Sequence, residues 1–208
     1  LSLLIGLLTL SQILICKAEN TAKQINIQQI STDNGLSHTT VHTIYRDEFG
    51  FVGIGTTDGL NRYDGHSVTT FRYDSANENT IKANMITQIC GDGKGHIYIK
   101  GQKCLIEYDL YKERFKTIHE DGISAITYHN GLYYSSGSAV YRINPDNTEV
   151  SIYQHNEPSH ISNIKLLKFD TNGTMFIGTT SDEVIRIDID GNSRKYKFPN
   201  IYSLDTDK

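Results

Sequence analysis

Apolar and polar positions alternate along most of the chain in short runs, most clearly in Phe51 to Asp64, Phe-Val-Gly-Ile-Gly-Thr-Thr-Asp-Gly-Leu-Asn-Arg-Tyr-Asp. Two runs of strand length flank a polar break, the pattern of two antiparallel strands joined by a short connection. The pattern returns three times in looser form. Aligned on the glycine before each apolar run, the copies begin at Gly50, Gly95, Gly131 and Gly173, spaced by 45, 36 and 42 residues. Three residues on stand Gly53, Tyr98, Tyr134 and Phe176, and the following strand of each copy closes on Tyr63-Asp64, Tyr108-Asp109, Ile143-Asn144 and Ile187-Asp188. A period of about 40 residues with four strands per copy is that of a propeller blade.

The pattern predicts sixteen strands in four meanders, over 36–80, 81–121, 122–160 and 161–200. The first blade takes Val41 to Tyr45, Phe51 to Thr56, Leu60 to Tyr63 and Val68 to Tyr73; the second Met85 to Cys90, Ile97 to Lys100, Leu105 to Tyr108 and Arg114 to Ile118. The third, compressed, takes Ser124 to Tyr128, Leu132 to Ser135, Ala139 to Ile143 and Glu149 to Tyr153; the fourth Ile164 to Phe169, Thr174 to Gly178, Val184 to Ile187 and Ser193 to Phe198. Turn chemistry separates the first two strands of each copy, at Asp47 to Gly50, Asp92 to Gly95, Asn130-Gly131 and Thr171 to Gly173. These residues suit tight turns because they tolerate positive φ or bond their own backbone.

Two flanking segments bear on ring closure. Ile25 to Ile30 alternates like a strand, ends at Asp33-Asn34-Gly35, and is expected to complete a last blade. Residues 201–208 resemble Ile164 to Thr171 and are expected to begin a fifth blade. The expected fold is therefore an all-β propeller with four visible blades of an incomplete, seven-bladed ring; a complete four-bladed ring is the competing reading.

Composition adds compartment and excludes partners. A net charge of −4 with no basic stripe argues against nucleic acid. Leu1 to Cys16 is an almost unbroken apolar run, short for a span of about 20 residues and suited to the core of an export signal. A cleaved signal over 1–18 is expected, leaving 19–208 as the partial propeller; an uncleaved anchor or buried helix is the other reading. Cys90 and Cys104 are expected to be half-buried thiols rather than a disulfide, even in an oxidising compartment.

Asn34-Gly35-Leu36-Ser37, Val41 to Tyr45, Asp47 to Thr56 and Asp58 to Gly65 together resemble the two-component regulator propeller repeat. More narrowly, the chain is similar to the start of the periplasmic sensor of hybrid two-component systems, in which histidine kinase and response regulator share one polypeptide. The first repeat matches closely; the others are looser, with Ile177-Gly178-Thr179 the best echo. The resemblance implies two seven-bladed propellers, a small β-sandwich, one membrane crossing and a cytoplasmic kinase, with carbohydrate fragments as signals and genes for polysaccharide use as output. One departure concerns packing: the family usually has tryptophan at Gly53, and this chain has none. Losing a large ring between blades costs about 3–5 kcal/mol unless neighbours fill the gap.

Residues that could carry chemistry have plainer explanations. Gly53 to Gly59 lacks dinucleotide-loop spacing and leads into a strand rather than a helix. His38 and His42 have no third ligand at metal spacing, and Asp188 to Asn192 lacks the late glutamate of a calcium loop and reads as a hairpin turn. Asp58 and Asp64 lie at opposite ends of a hairpin, unsuited to a glycosidase pair, while Arg62 and Asp64 could bond across blades. No catalytic residue, metal site or cofactor is expected.

A propeller ligand is expected on the face built by second-to-third-strand loops and blade connections. The candidates are Asp58, Asn77, Asn79, Gln102, Lys103, His155 and Asn156, whose side chains can pair with sugar hydroxyls. The leading expectation is a non-catalytic, periplasmic, ligand-sensing fragment that binds an oligosaccharide. The alternatives are a propeller lyase or hydrolase acting on polysaccharide, which needs acids, bases or tyrosines converging at the central channel, and a scaffold whose propeller makes dimer contacts without a ligand.

Overall fold

A computed structural model describes residues 27–155 and 163–204. They form sixteen strands, beginning with β1 (Val41–Arg46), β2 (Val52–Thr56), β3 (Gly59–Tyr63) and β4 (Val68–Phe71). The second set is β5 (Gln88–Gly91), β6 (His96–Lys100), β7 (Leu105–Asp109) and β8 (Arg114–His119). The third is β9 (Ile123–Tyr128), β10 (Leu132–Ser136), β11 (Ala139–Ile143) and β12 (Glu149–Gln154). The last is β13 (Ile164–Phe169), β14 (Met175–Thr179), β15 (Glu183–Ile187) and β16 (Ser193–Lys197). Each set is one antiparallel sheet in chain order, so the fold is the expected propeller of four-stranded blades.

The inner turns explain why the meanders form where they do. Asp47 Oδ1 accepts from the backbone N–H of Phe49 and Phe51, Asp92 Oδ1 from Lys94 and His96, and Asp170 Oδ1 from Asn172 and Thr174. One carboxylate thus satisfies two donors that a tight reversal leaves unpaired. The third blade has no such aspartate. Its turn is His129 to Gly131, three residues against five for 47–51 and 170–174.

That shorter turn corrects the alignment. Gly53, Tyr98 and Phe176 sit one residue beyond Val52, Ile97 and Met175, which pair with Tyr63, Tyr108 and Ile187; in the third blade it is Leu132 that pairs with Ile143. The structural partner of Gly53, Tyr98 and Phe176 is therefore Tyr133, not Tyr134. Tyr134 instead matches Ile54, Ile99 and Ile177, and like them it is buried.

The core lies between blades. One cluster (Leu60, Ile81, Ile86, Ile99, Ile106, Tyr108) joins the first blade to the second; Leu105, Ile123, Ile126 and Leu132 join the second to the third; Ile164, Leu167, Met175, Ile177 and Ile185 join the third to the fourth. The second and third blades send their 53-type residue onto the next inner strand: Tyr98 stacks on Tyr128 at 5.8 Å, and Tyr133 meets Phe169 at 4.7 Å with the rings tilted by 50°. At Gly53 this contact is replaced. Ile89 reaches within 3.6 Å of where a Cβ would stand, and Arg62 lies over Phe51 and Phe71 while pairing with Glu113 of the second blade. The gap left by the missing ring is only about 20 Å³.

The flanking segments differ from expectation. Residues 27–30 form no strand: Gln28 Oε1 accepts from Tyr63 and the Gln29 carbonyl from Asn34 Nδ2, so side chains rather than a ladder take their polar groups. Ile27 is 89% exposed, and the fourth blade supplies all four of its own strands. The chain then turns through a short 3₁₀ helix, Thr32–Asn34, capped by Ser31 and closed by Gly35 at φ 112°. Residues 201–204 also carry no strand, and 205–208 lie outside the described residues, as does the expected signal segment. Cys90, half-buried, and Cys104, buried, are free thiols.

Polar side chains also cross the blade interfaces. On the outer strands of the second and third blades, Glu149 accepts from Tyr134 at 2.6 Å and meets the His119 ring. Burial works to raise the Glu149 carboxyl, but the hydrogen bonds from Tyr134 and His119 outweigh it and hold the group below its ordinary value. A carboxylate depressed on folding stabilises above its unfolded pKa, and that contribution is lost as pH falls through the folded one. Denaturant midpoints measured from neutral pH down through the acid range should fall less steeply for Glu149→Gln than for the native chain; parallel profiles would show that the cluster does not couple to folding.

Candidate functional site

The loop face carries a cleft of about 410 Å³ between the first two blades, lined by Thr57, Lys82, Ala83, Asn84, Met85, Gln102, Lys103, Cys104 and Glu120. Its volume falls in the range of small-molecule sites. Its walls are fixed by backbone bonds. Gly59 N–H donates to the Asn84 carbonyl at 2.6 Å, Ile86 N–H to the Thr56 carbonyl at 2.9 Å, and Asn84 Oδ1 accepts from Tyr73 N–H at 2.7 Å. The segment 82–85 is thereby tied to the first blade while Gln102 and Lys103 project from the second. Lys82 lies over the Tyr73 ring at 5.4 Å, which leaves its ammonium at the rim. Among the described residues, Lys82, Lys103 and Glu120 form no ion pair.

Of the expected site residues, the structure brings Gln102 and Lys103 together here. Asp58 stands beside Thr57 but is held by Arg72 at 3.0 Å. Asn77 and Asn79 turn away. Asn77 Oδ1 caps Asn79 N–H, and the Asn79 amide bridges the backbone of the second blade's outer hairpin, accepting from Phe115 N–H and donating to the Glu113 carbonyl. His155 is buried, its Nδ1 3.0 Å from the Tyr153 hydroxyl and its Nε2 3.8 Å from Glu183. Asn156 lies outside the described residues.

Lys82, Asn84, Met85 and Glu120 were missed by the sequence reading. The blade connection was searched at 77–79, whereas Asn79 pins that part to the blade edge and the chain reaches the cleft only after Ile81. Lys100 was also missed: it is buried, its ammonium donates to Thr87 Oγ1 at 2.8 Å, and burial pushes its pKa down.

The other polar candidates take structural roles. His38 Nδ1 accepts from Thr40 N–H, His42 Nε2 meets Thr57, and Asp188 closes its own hairpin through Asn192 N–H. Arg62 does cross to the next blade; Asp64 bonds only locally, to His66 and Ser67, and those bonds bring it to about 2. The central channel, about 530 Å³, is lined by all four inner strands and by Tyr202, Ser203 and Leu204. Its described lining includes Tyr45, Tyr128, His129 and Lys168, and no carboxylate.

No protein-family model matches the chain, and no curated protein matches it. Solved structures do. The extracellular domain of a hybrid two-component system from B. thetaiotaomicron is 20% identical with a TM-score of 0.69, covering 83% of this chain and 26% of that one. The extracellular domain of a one-component system from the same organism is 16% identical with a TM-score of 0.52, covering 78% and 30%. Streptogramin B lyase is 15% identical with a TM-score of 0.62, covering 79% and 57%. The chain thus spans under a third of the two extracellular domains it resembles, and what it shares with all three structures is the fold.

Proposed function

We propose that this chain is a ligand-sensing part of an exported, periplasmic propeller of a two-component system, and that it binds an oligosaccharide in the loop-face cleft without transforming it. The observation that carries this reading is the cleft's chemistry. Lys82, Asn84, Gln102, Lys103 and Glu120 set ammonium, amide and carboxylate groups around one cavity, a set able to donate to and accept from adjacent hydroxyls. Among the described residues, no ion pair joins two titratable groups of the lining. The likeness to extracellular domains of such systems supports the compartment. In a longer parent, further blades would extend the ring and relay occupancy to the kinase.

The test is calorimetric titration of the 208-residue chain with a panel of plant and host oligosaccharides, followed by chromatography of the recovered ligand. Heat from at least one glycan, recovered intact and weakened tenfold or more by Gln102→Ala with Lys103→Ala, is the expected result. Cleaved glycan would favour the lyase or hydrolase reading, and a silent panel the scaffold.

A further inference from the structure

We propose a modification site at Asn130, where the side-chain amide hydrolyses to a carboxyl through an imide closed by the Gly131 backbone nitrogen, without an enzyme. Asparagine followed by glycine is prone to this chemistry because glycine carries no side chain to shield the nitrogen that attacks. The sequence holds three such pairs, Asn34-Gly35, Asn130-Gly131 and Asn172-Gly173. All three asparagines are exposed, so access to water does not separate them. Their hydrogen bonds do.

The step needs an amide carbon free to turn toward the next nitrogen, and an N–H not held by another acceptor. Asn34 fails the first condition: its Oδ1 accepts from Ser31 N–H at 2.6 Å and its Nδ2 donates to the Gln29 carbonyl at 2.6 Å. Asn172 fails the second, since Gly173 N–H donates to the Asp170 carbonyl at 3.2 Å. At Asn130 both conditions hold. Among the described residues, its side-chain amide and the Gly131 N–H make no hydrogen bond, and the turn is crossed by one bond, from His129 N–H to the Gly131 carbonyl at 2.9 Å.

Arg142 activates the nitrogen. Its Nη2 donates at 3.0 Å to the Asn130 carbonyl, which belongs to the same peptide group as Gly131 N. When that nitrogen loses its proton the charge passes largely to this oxygen, and a charge-assisted donor there stabilises the attacking anion. Glycine lets the guanidinium lie this close, because a Cβ at Gly131 would stand 2.9 Å from Arg142 Nε.

Hydroxide takes the Gly131 proton, the nitrogen bonds to Asn130 Cγ, and ammonia leaves with a proton from water. Water then adds to either imide carbonyl and breaks its bond to nitrogen. The products are aspartate and isoaspartate, the second with the main chain running through the former side chain. Either adds a carboxylate to a cleft of about 270 Å³ between the second and third blades, whose lining includes Asn130, Asp92, Glu107 and Arg142. Isoaspartate also lengthens the three-residue turn between β9 and β10 by one backbone atom.

The test holds the full chain in warm, mildly alkaline buffer, native and in urea, and follows amide loss at the three sites by peptide mapping and mass spectrometry. In the native chain Asn130 should convert at least tenfold faster than Asn34 or Asn172, while in urea, where the bonds at all three are lost, the rates should converge. Arg142→Gln should slow the native reaction at Asn130 and leave the other two sites unchanged. A thermal melt shows that this variant folds, and the contrast between native chain and urea needs no variant. Equal native rates, faster loss at Asn34 or Asn172, a spread that persists in urea, or an Asn130 rate unchanged in folded Arg142→Gln overturns the proposal. No glycan enters the measurement, so its outcome is separate from that of the loop-face site.

Discussion

Replacing Asn61 by Ile, the residue found at the matching positions 106 and 185, should destabilise the chain by about 2–4 kcal/mol rather than improve its core. Asn61 is fully buried, and every polar atom of its amide is used. Oδ1 accepts from Ser37 N–H at 3.0 Å and Thr70 Oγ1 at 2.9 Å; Nδ2 donates to Ser37 Oγ at 2.8 Å and the Ile54 carbonyl at 3.2 Å. One side chain therefore joins the segment preceding the first blade to β2 and β4. An isoleucine gains apolar burial but strands the Ser37 N–H and takes a partner from the Thr70 and Ser37 hydroxyls, and an unpaired buried polar group costs about 1–3 kcal/mol. Urea midpoints for native and Asn61→Ile chains decide it. An unchanged midpoint would mean that water replaces the amide and that the segment is not held by it.

The second large effect separates two glycines that the sequence presents as equivalent. Gly53→Ala should stabilise the first blade by about 0.5–1 kcal/mol, because a strand glycine is entropically costly. The added Cβ would meet Ile89 and the Tyr45 carbonyl at 3.6 Å, ordinary contact. Gly55→Ala should destabilise by about 1–3 kcal/mol. There a Cβ would stand 2.5 Å from Thr43 Cγ2, 2.7 Å from Ile86 Cγ2 and 3.0 Å from the Ile86 carbonyl, and the carbonyl is backbone held by the blade connection. The expected signs are opposite two residues apart. Thermal melts of both variants in one buffer measure them, and two changes of the same sign would show that the first interface is not packed as described.

The same comparison shows what was legible in the sequence. Strands and hairpin turns were readable because their causes are local: period-two alternation, and aspartates that bond the backbone two and four residues on. The one-residue shift at Tyr133 arose because counting from Gly131 assumes equal turns, although strands read to Tyr128 and from Leu132 already leave three residues for that reversal. Residues 27–30 had the alternation of a strand, but the Gln28 side chain is taken by Tyr63 and the Gln29 carbonyl by Asn34, contacts that no local pattern announces.

Site residues divide the same way. Gln102 and Lys103 could be placed beside the cleft from sequence because a second-to-third-strand loop must lie on one face. Asn79 does not line the cleft, because its amide serves a backbone 36 residues away, at Phe115. His155 is also away from the cleft, for a related reason: its burial against Glu183 is a contact between blades. The missing tryptophan at Gly53 was correctly seen as a packing question, but its answer, Arg62 reaching across to Glu113, depends on a residue of the next blade.

Hydrogen exchange with and without a bound glycan tests the account's central claim most directly. If the loop-face cleft is where this propeller reads its ligand, amides in 82–86 and 101–105 should exchange more slowly on binding, while those of the inner strands at 43–45, 88–91 and 126–129 keep their rates. Protection along the inner strands instead would place the ligand in the central channel and contradict the account.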